Sequence, residues 1–330
     1  MSMQAVVQHR PGGIETLSLE VVERPMPGPG QLLVRVLAAG VNRADVVQRE
    51  GHYPPPAGVT PLLGLEVAGI VEAVGSAGRF QPGDAVFGLV PGGGYAEYAV
   101  LEADLAIPKP DWLGWAEAAS LPEVWMTAWL NMVEVARLAE GESLLVHAGA
   151  SGVGAATIQL GRLLGARVFA SASSAPKQTF CRELGAERVF KARDGGFAPL
   201  MKEAGGVDVI LDPVGGAYLA DNIASLRQDG RLILIGVMGG SHAGLNLGPV
   251  LVKRLSVRGS TLRSQPVEVK ARLARALERT ILPALHDGAV RLTVDTTFPF
   301  AQVGAAHTHM EADRNLGKIV LTMPAVTTLS

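Results

Sequence analysis

The chain has 330 residues, 48% of them apolar, with 29 basic and 31 acidic side chains and a net charge near −2. That size and apolar share support two packed domains and argue against disorder, while the interspersed, near-neutral charge supplies no basic face for nucleic acid. No run of about 18 apolar residues offers a membrane span, residues 1–10 lack a signal-peptide core, and a single cysteine, Cys181, rules out an internal disulfide or a multi-cysteine metal site; a soluble cytoplasmic protein with neither a nucleic-acid nor a membrane partner is expected.

Short strand-like runs come first, at 4–8, 31–39, 66–74, 84–89 and 95–100, punctuated by Pro25-Met-Pro-Gly-Pro-Gly30 and Pro54-Pro-Pro56. They predict a compact β-rich domain. Near Trp112 the texture changes, and 115–138 is Ala-rich and helical in composition, with Pro122 as a break or kink. Strand patterns at 143–147, 167–171, 188–191, 207–212, 231–236 and 256–259 then alternate with helical patterns at 153–164, 175–184 and 217–226. Such alternation predicts an α/β domain with a parallel sheet wrapped by helices. A long helix at 267–286 follows, and the tail offers one helix, 301–312, and one strand, 318–322. Two elements are too few for a domain, so the tail is expected to rejoin the N-terminal β domain. The expected domains are 1–121 completed by 288–330, and 122–287.

The first parallel strand runs straight into Gly149-Ala150-Ser151-Gly152-Val153-Gly154, and a helix follows with Val153, Ala156, Leu160 and Leu163 at helical spacing. Strand, glycine turn and helix in that order are the dinucleotide-binding arrangement. Gly149 permits the tight turn, position 151 lies where backbone approaches a pyrophosphate, and Gly154 lets the helix press close. The free N–H groups and positive dipole end of the helix face the phosphates. Ser151 stands where the fingerprint has glycine; its hydroxyl could bond the cofactor. The second strand ends Phe169-Ala-Ser171-Ala-Ser173-Ser174 without the acid that would hold the ribose of NAD, and Lys177 follows. Hydroxyls at Ser171 and Ser173 with the cation of Lys177 suit the 2′-phosphate of NADPH.

Metal and hydrolase chemistry lack their parts. The seven histidines are scattered, and there is no His-Glu-x-x-His, no Gly-x-Ser-x-Gly and no phosphate-binding Gly-Lys-Ser/Thr loop. His147, beside the turn, reads as a packed, hydrogen-bonded residue.

The chain resembles the zinc-free quinone oxidoreductases, the zeta-crystallin relatives of the medium-chain dehydrogenase/reductase superfamily, over almost its whole length. Within them it is most similar to the tumour-suppressor-inducible quinone reductases. The likeness rests on Asn42-Arg-Ala-Asp45, Gly51-His-Tyr-Pro-Pro55, Leu63-Gly-Leu-Glu-Val-Ala-Gly69, Pro91-Gly-Gly-Gly94, the turn at 148–154, in which Ser151 is usual for that branch, and Met310-Glu-Ala-x-x-Asn-x-Gly-Lys318. The resemblance implies a GroES-like β domain plus a doubly wound Rossmann domain with the active site in the cleft between them. It implies that Asn42 and Tyr53 face nicotinamide and substrate, and that Thr127 lies under the nicotinamide. The loop with Gly236, Met238 and Gly239 would stand near the carboxamide, while Leu262, Arg263, Asn315 and Lys318 close the cofactor cleft. Zinc-bearing relatives carry Cys, His and Cys ligands; the matching stretches here hold Asn42 and, in place of the His, Leu65, so no metal is expected. The family places a Tyr near the 2′-phosphate after the third strand. This chain reads Phe190-Lys191-Ala192-Arg193, so Lys191 or Arg193 is expected to supply charge instead.

Without a Lewis acid to polarise a carbonyl, the expected hydride acceptor is already electrophilic. The expectation is an NADPH-dependent quinone oxidoreductase, in which Asn42 or Tyr53 bonds the acceptor oxygen and solvent supplies the final proton. An NADPH-dependent enal/enone double-bond reductase and an NADPH-binding redox sensor or structural protein with little turnover are the alternatives. A homodimer is expected by likeness to the family, with the apolar run 231–238 near the sheet edge as a pairing surface.

Overall fold

The computed structural model describes residues 1–191 and 196–324. The chain divides into two compact units, one of Met1–Met126, Arg263–Leu282 and Leu292–Ser330, the other of Thr127–Leu262 and Pro283–Arg291. Residues 263–282, expected in the cofactor domain, therefore fall with the β-rich unit.

The β-rich unit is built on a sheet ordered Val294–Pro299, Lys318–Thr322, Gln31–Val41, Glu66–Val74, Ala85–Leu89, Ile107–Pro108, with Tyr98–Glu102 also paired to Gln31–Val41. The tail rejoins this sheet: Ile319 stands opposite Val41, and Leu321 opposite Ala39, in antiparallel register. The strand Val294–Pro299 was not expected. It runs parallel to the tail strand, and its burial alternates along its length, the pattern of a half-buried edge strand. Leu17–Glu23, also unexpected, pairs with Ser2–Gln8 in a separate two-stranded sheet.

The other unit holds six parallel strands. In chain order they are Ser143–Val146, Arg167–Ser171, Arg188–Phe190, Val207–Asp212, Leu226–Leu234 and Ser256–Gly259, and in space they lie 3-2-1-4-5-6. That order, with helices in the connections, is the Rossmann dinucleotide-binding arrangement. Its first strand is buried at all four positions, as an apolar run between two neighbours must be. Leu145, Phe169, Phe197, Ile210 and Leu232 form the core on one face.

The helical segment 115–138 breaks at Pro122, as expected: Trp115–Ala118 ends, Pro122 opens a new helix, Pro122–Trp129, and π-helical Leu130–Val135 continues it. Pro122 starts a helix because its missing N–H falls in the first turn, where no intrahelical bond is due. The run 231–238, expected near the sheet edge, begins in the strand next to the edge. Arg231 to Leu234 pair on one side with Val207–Asp212 and on the other with Ser256–Gly259, which is the edge strand.

Candidate active site

In the Rossmann unit the chain leaves its first strand through His147 and turns at Ala148, whose φ of 50° lies in the left-handed region. The strained residue of the turn is thus Ala148, not Gly149. Gly149 answers to space: a Cβ there would stand 2.9 Å from Cys181 Sγ and 3.0 Å from Ala170 Cβ. A Cβ on Gly154 would lie 2.3 Å from the Ala148 carbonyl oxygen, so the helix does press onto the turn as expected. Ser151 caps that helix, Gly152–Leu163, its Oγ accepting the Gly154 N–H at 3.1 Å; the hydroxyl serves the helix. The amides of Gly152 and Val153 have no acceptor among the described residues. Open first-turn donors at the positive end of a twelve-residue helix fit a pyrophosphate.

The expected 2′-phosphate residues are only partly placed there. His147 is buried, with rings of Phe197 and Tyr218 each 4.8 Å away. Its Nε2 lies 2.7 Å from Asn222 Oδ1, and Asn222 Nδ2 donates to Asp212 at 2.8 Å. The amide orientation makes Nε2 the donor, so Nδ1 accepts from the Ser171 hydroxyl, 2.9 Å away. Desolvation holds the His147 pKa down, to about 4, so the ring is neutral. Ser171 has therefore spent its proton on His147 and has none for a phosphate. Lys177 is 8% exposed, not a solvated helix lysine, and it and Ser173 already interact within the chain. Arg193, like Ala192, lies outside the described residues.

Asp212 ends the fourth strand and accepts the Val214 and Gly215 amides. On this turn packs the loop after the fifth strand: Met238 N donates to Pro213 O at 3.2 Å, Gly239 N to Val214 O at 2.7 Å. A Cβ on Gly236 would meet Pro213 O at 2.8 Å, and Met238 is left exposed. These turns and the Gly149–Gly154 turn share the carboxyl end of the sheet, where open α/β folds bind ligands. Thr127 and Leu262 are buried in the same unit.

In the β-rich unit, Glu66, fully buried, organises a polar core. Its Oε1 accepts Lys318 Nζ at 2.6 Å and Asn42 Nδ2 at 2.9 Å, and its Oε2 accepts the Glu123 backbone N–H at 2.8 Å. Lys318 Nζ also donates to Asn42 Oδ1 (2.7 Å) and Val41 O (2.9 Å), which exhausts its three protons. Lys318 and Asn315 were expected against the cofactor. Instead Lys318 is 3% exposed and fixes Asn42, and Asn315 donates to Gly317 O within its own loop. Gly317 is needed there: its φ is 92°, and a Cβ would stand 2.1 Å from Thr293 O. Behind Asn42, Asp45 accepts the Asn42 and Gly64 amides and the Tyr95 hydroxyl. Burial raises its carboxyl to about 6 against those bonds. Arg49, buried, pairs with Glu311 at 2.7 Å and faces His307 Nδ1 at 3.3 Å; burial and the Arg49 charge hold that imidazole down to about 4.

Tyr53 and Arg263, both expected at the site, do come together, the guanidinium 5.4 Å from the ring centroid. Arg263 is held by Gln48 Oε1 at 2.8 Å and Pro91 O at 2.9 Å. Burial and Glu123 raise the Tyr53 pKa, against the pull of Arg263.

An alcohol dehydrogenase GroES-like model matches residues 28–111, and a zinc-binding dehydrogenase model matches 152–279. Mycobacterial Rv1454c, solved in complex with NADPH, is 31% identical, with a TM-score of 0.87 over 97% of this chain and 99% of that one. The chain belongs to the medium-chain dehydrogenase/reductase superfamily. Other similar members are a quinone oxidoreductase of Pseudomonas syringae (28% identity, TM-score 0.87, 97% and 99% covered) and the CurK enoyl reductase (28%, 0.85, 98% and 99%). A mycocerosic acid synthase-like polyketide synthase of Mycobacterium tuberculosis is 33% identical over 319 residues. The chain spans about 15% of the length of such curated relatives, and 95% of its own.

Zinc, which one matching family model names, does not fit the residues present. Asn42 and Leu65 stand at the positions of two ligands, and the Asn42 and Glu66 oxygens already hold the Lys318 ammonium. Among the described residues no three His, Cys, Asp or Glu are grouped to hold a metal ion. Nor, among them, is any helix long and apolar enough to cross a membrane.

Sequence reasoning missed Glu66 and Glu123. The signal was present for Glu123, the one charged residue in the run 118–130.

Proposed function

We propose that this medium-chain reductase is an NADPH:quinone oxidoreductase that works without zinc. The observation that carries the reading is the Lys318 ammonium clamped between Asn42 and Glu66. A fixed side-chain cation takes the oxygens a metal would need, so the acceptor must be electrophilic unaided. NADPH supplies hydride. The amides of Gly152 and Val153 bind its pyrophosphate, and Lys177 and Arg193 favour the 2′-phosphate. Asn42, its amide locked by Glu66 and Lys318, and Tyr53 under Arg263 orient the acceptor oxygen. The similarity to a quinone oxidoreductase and to an NADPH complex supports this reading.

A second reading, reduction of an activated carbon–carbon double bond, draws on the likeness to the CurK enoyl reductase and to polyketide synthases. Parallel turnover of a small quinone and an enone with NADPH separates the two. The quinone reading expects the larger kcat/KM for the quinone, and the reverse order overturns it. NADPH should bind at least tenfold more tightly than NADH, with K177A erasing much of the gap; equal dissociation constants would contradict the assignment.

We also propose a homodimer paired through Ser256–Gly259. This edge strand is exposed at all four residues, Val257 among them, and Leu247, Leu251 and Val252 in the helix just before it in sequence are exposed as well. An open edge is self-complementary about a two-fold axis.

A further inference from the structure

We infer that the Glu123 side chain is the proton donor that completes the reduction, an assignment that rests on the proposed reductase activity. Its place is fixed at the main chain: the Glu123 N–H is bound by buried Glu66, the same carboxylate that holds Asn42 and Lys318. Its carboxyl has no hydrogen-bond or ion-pair partner among the described residues, and it is only partly exposed. Its carboxyl oxygens are not among the sealed, unbonded side-chain atoms of the described residues, so the group stays open to solvent or to a molecule bound beside it. It is within electrostatic reach of Tyr53, expected at the acceptor, and of Arg263, expected to close the cofactor cleft.

The groups that face it set its charge. Burial is the first cause, Glu66 and Asp45 add repulsion, Lys318 and Lys270 oppose them, and the outcome is a carboxyl raised to about 8. Tyr53 and Arg263 complete the set of neighbours. At neutral pH Glu123 is thus a neutral acid with a proton to give, the state a general acid requires.

The step balances. The acceptor gains two electrons and one hydrogen as hydride from NADPH, which leaves as NADP⁺. The negative charge left on a quinone oxygen takes the Glu123 proton, breaking that O–H bond and forming a new one on the acceptor. Water then returns a proton to the carboxylate.

The test is steady-state and single-turnover reduction of a quinone by NADPH in the whole chain, comparing wild type, E123Q and E123A across pH. Wild-type kcat/KM should fall above about pH 8. E123Q, which keeps the shape of the protonated acid, should lose about 10²-fold or more in kcat and show no such fall, with NADPH affinity unchanged. Added imidazole, whose imidazolium form still holds a proton to give near neutral pH, should restore part of the E123A rate, a rescue that a packing role would not give. E123Q within twofold of wild type at every pH, or E123A insensitive to imidazole, overturns the assignment alone. A wild type that oxidises NADPH with no acceptor overturns the reductase reading, and the assignment falls with it.

Discussion

Lys318→Met removes the cation from the Asn42–Glu66 core without removing bulk. Glu66, 0% exposed, keeps the Asn42 amide and the Glu123 N–H but loses its ion pair, and the Asn42 and Val41 oxygens each lose a donor. Breaking one partner of a buried pair costs about 3–5 kcal/mol, and each orphaned oxygen about 1–3 kcal/mol. Members of one network do not add, so the expected loss is near the top of the first range, about 5 kcal/mol. Urea unfolding followed by tryptophan fluorescence reads it, because Trp112, Trp115 and Trp125 belong to the β-rich unit. Adding E66Q removes the stranded charge and should return at least half of the loss. A K318M chain within about 0.5 kcal/mol of wild type, the range of an inert surface change, would refute the reasoning.

Other outcomes follow from the same geometry. Gly154→Ala puts a Cβ 2.3 Å from Ala148 O; the turn must open, and NADPH should bind at least tenfold more weakly in a titration while circular dichroism stays native. His147 has a folded pKa near 4 against 6.5, so between those values the unfolded chain binds the extra proton and stability falls as pH drops. The contribution is about 1.4 kcal/mol per pH unit, and H147N should lack that slope in unfolding free energies measured across the window. Glu123 has the opposite sign: its folded value near 8 lies above 4.5, so the native chain holds the proton and stability is lost as pH rises between them. E123Q should abolish that loss in thermal scans at pH 5 and 8. Leu251→Glu, exposed in the helix just before the edge strand in sequence, should shift the sedimentation mass from two chains to one; an unchanged mass would remove the proposed interface.

The parallel-sheet unit was the more legible half. Three of its strands, Arg167–Ser171, Val207–Asp212 and Ser256–Gly259, have the expected bounds; the first two are mostly buried runs that leave few alternatives, while the third, exposed throughout, was placed by the strand–helix alternation. The half-buried strands were harder. Leu17–Glu23 and Val294–Pro299 lie with burial that largely alternates on a mostly exposed surface, while their residues, with Val21-Val22 adjacent and Asp295-Thr-Thr297 in a row, do not alternate cleanly. In the site, the glycines were legible as residue types, but not their separate tasks: the left-handed φ fell on Ala148, and Gly149 yields room to Cys181. Lys318 was legible as a site residue and misread as a ligand contact. Its three acceptors lie 252 to 277 residues away along the chain, and only folding brings Val41, Asn42 and Glu66 around it.

The central claim is reduction of an electrophilic acceptor by NADPH bound at the Gly149–Gly154 turn. Its most direct test is the loss of NADPH absorbance on mixing the chain with a quinone, with and without EDTA, beside the same chain carrying G154A. The account predicts saturable NADPH oxidation that EDTA leaves unchanged and that G154A weakens through the NADPH KM. Tight NADPH binding with no oxidation across a panel of quinones and enones, or activity that EDTA abolishes and zinc restores, would contradict it.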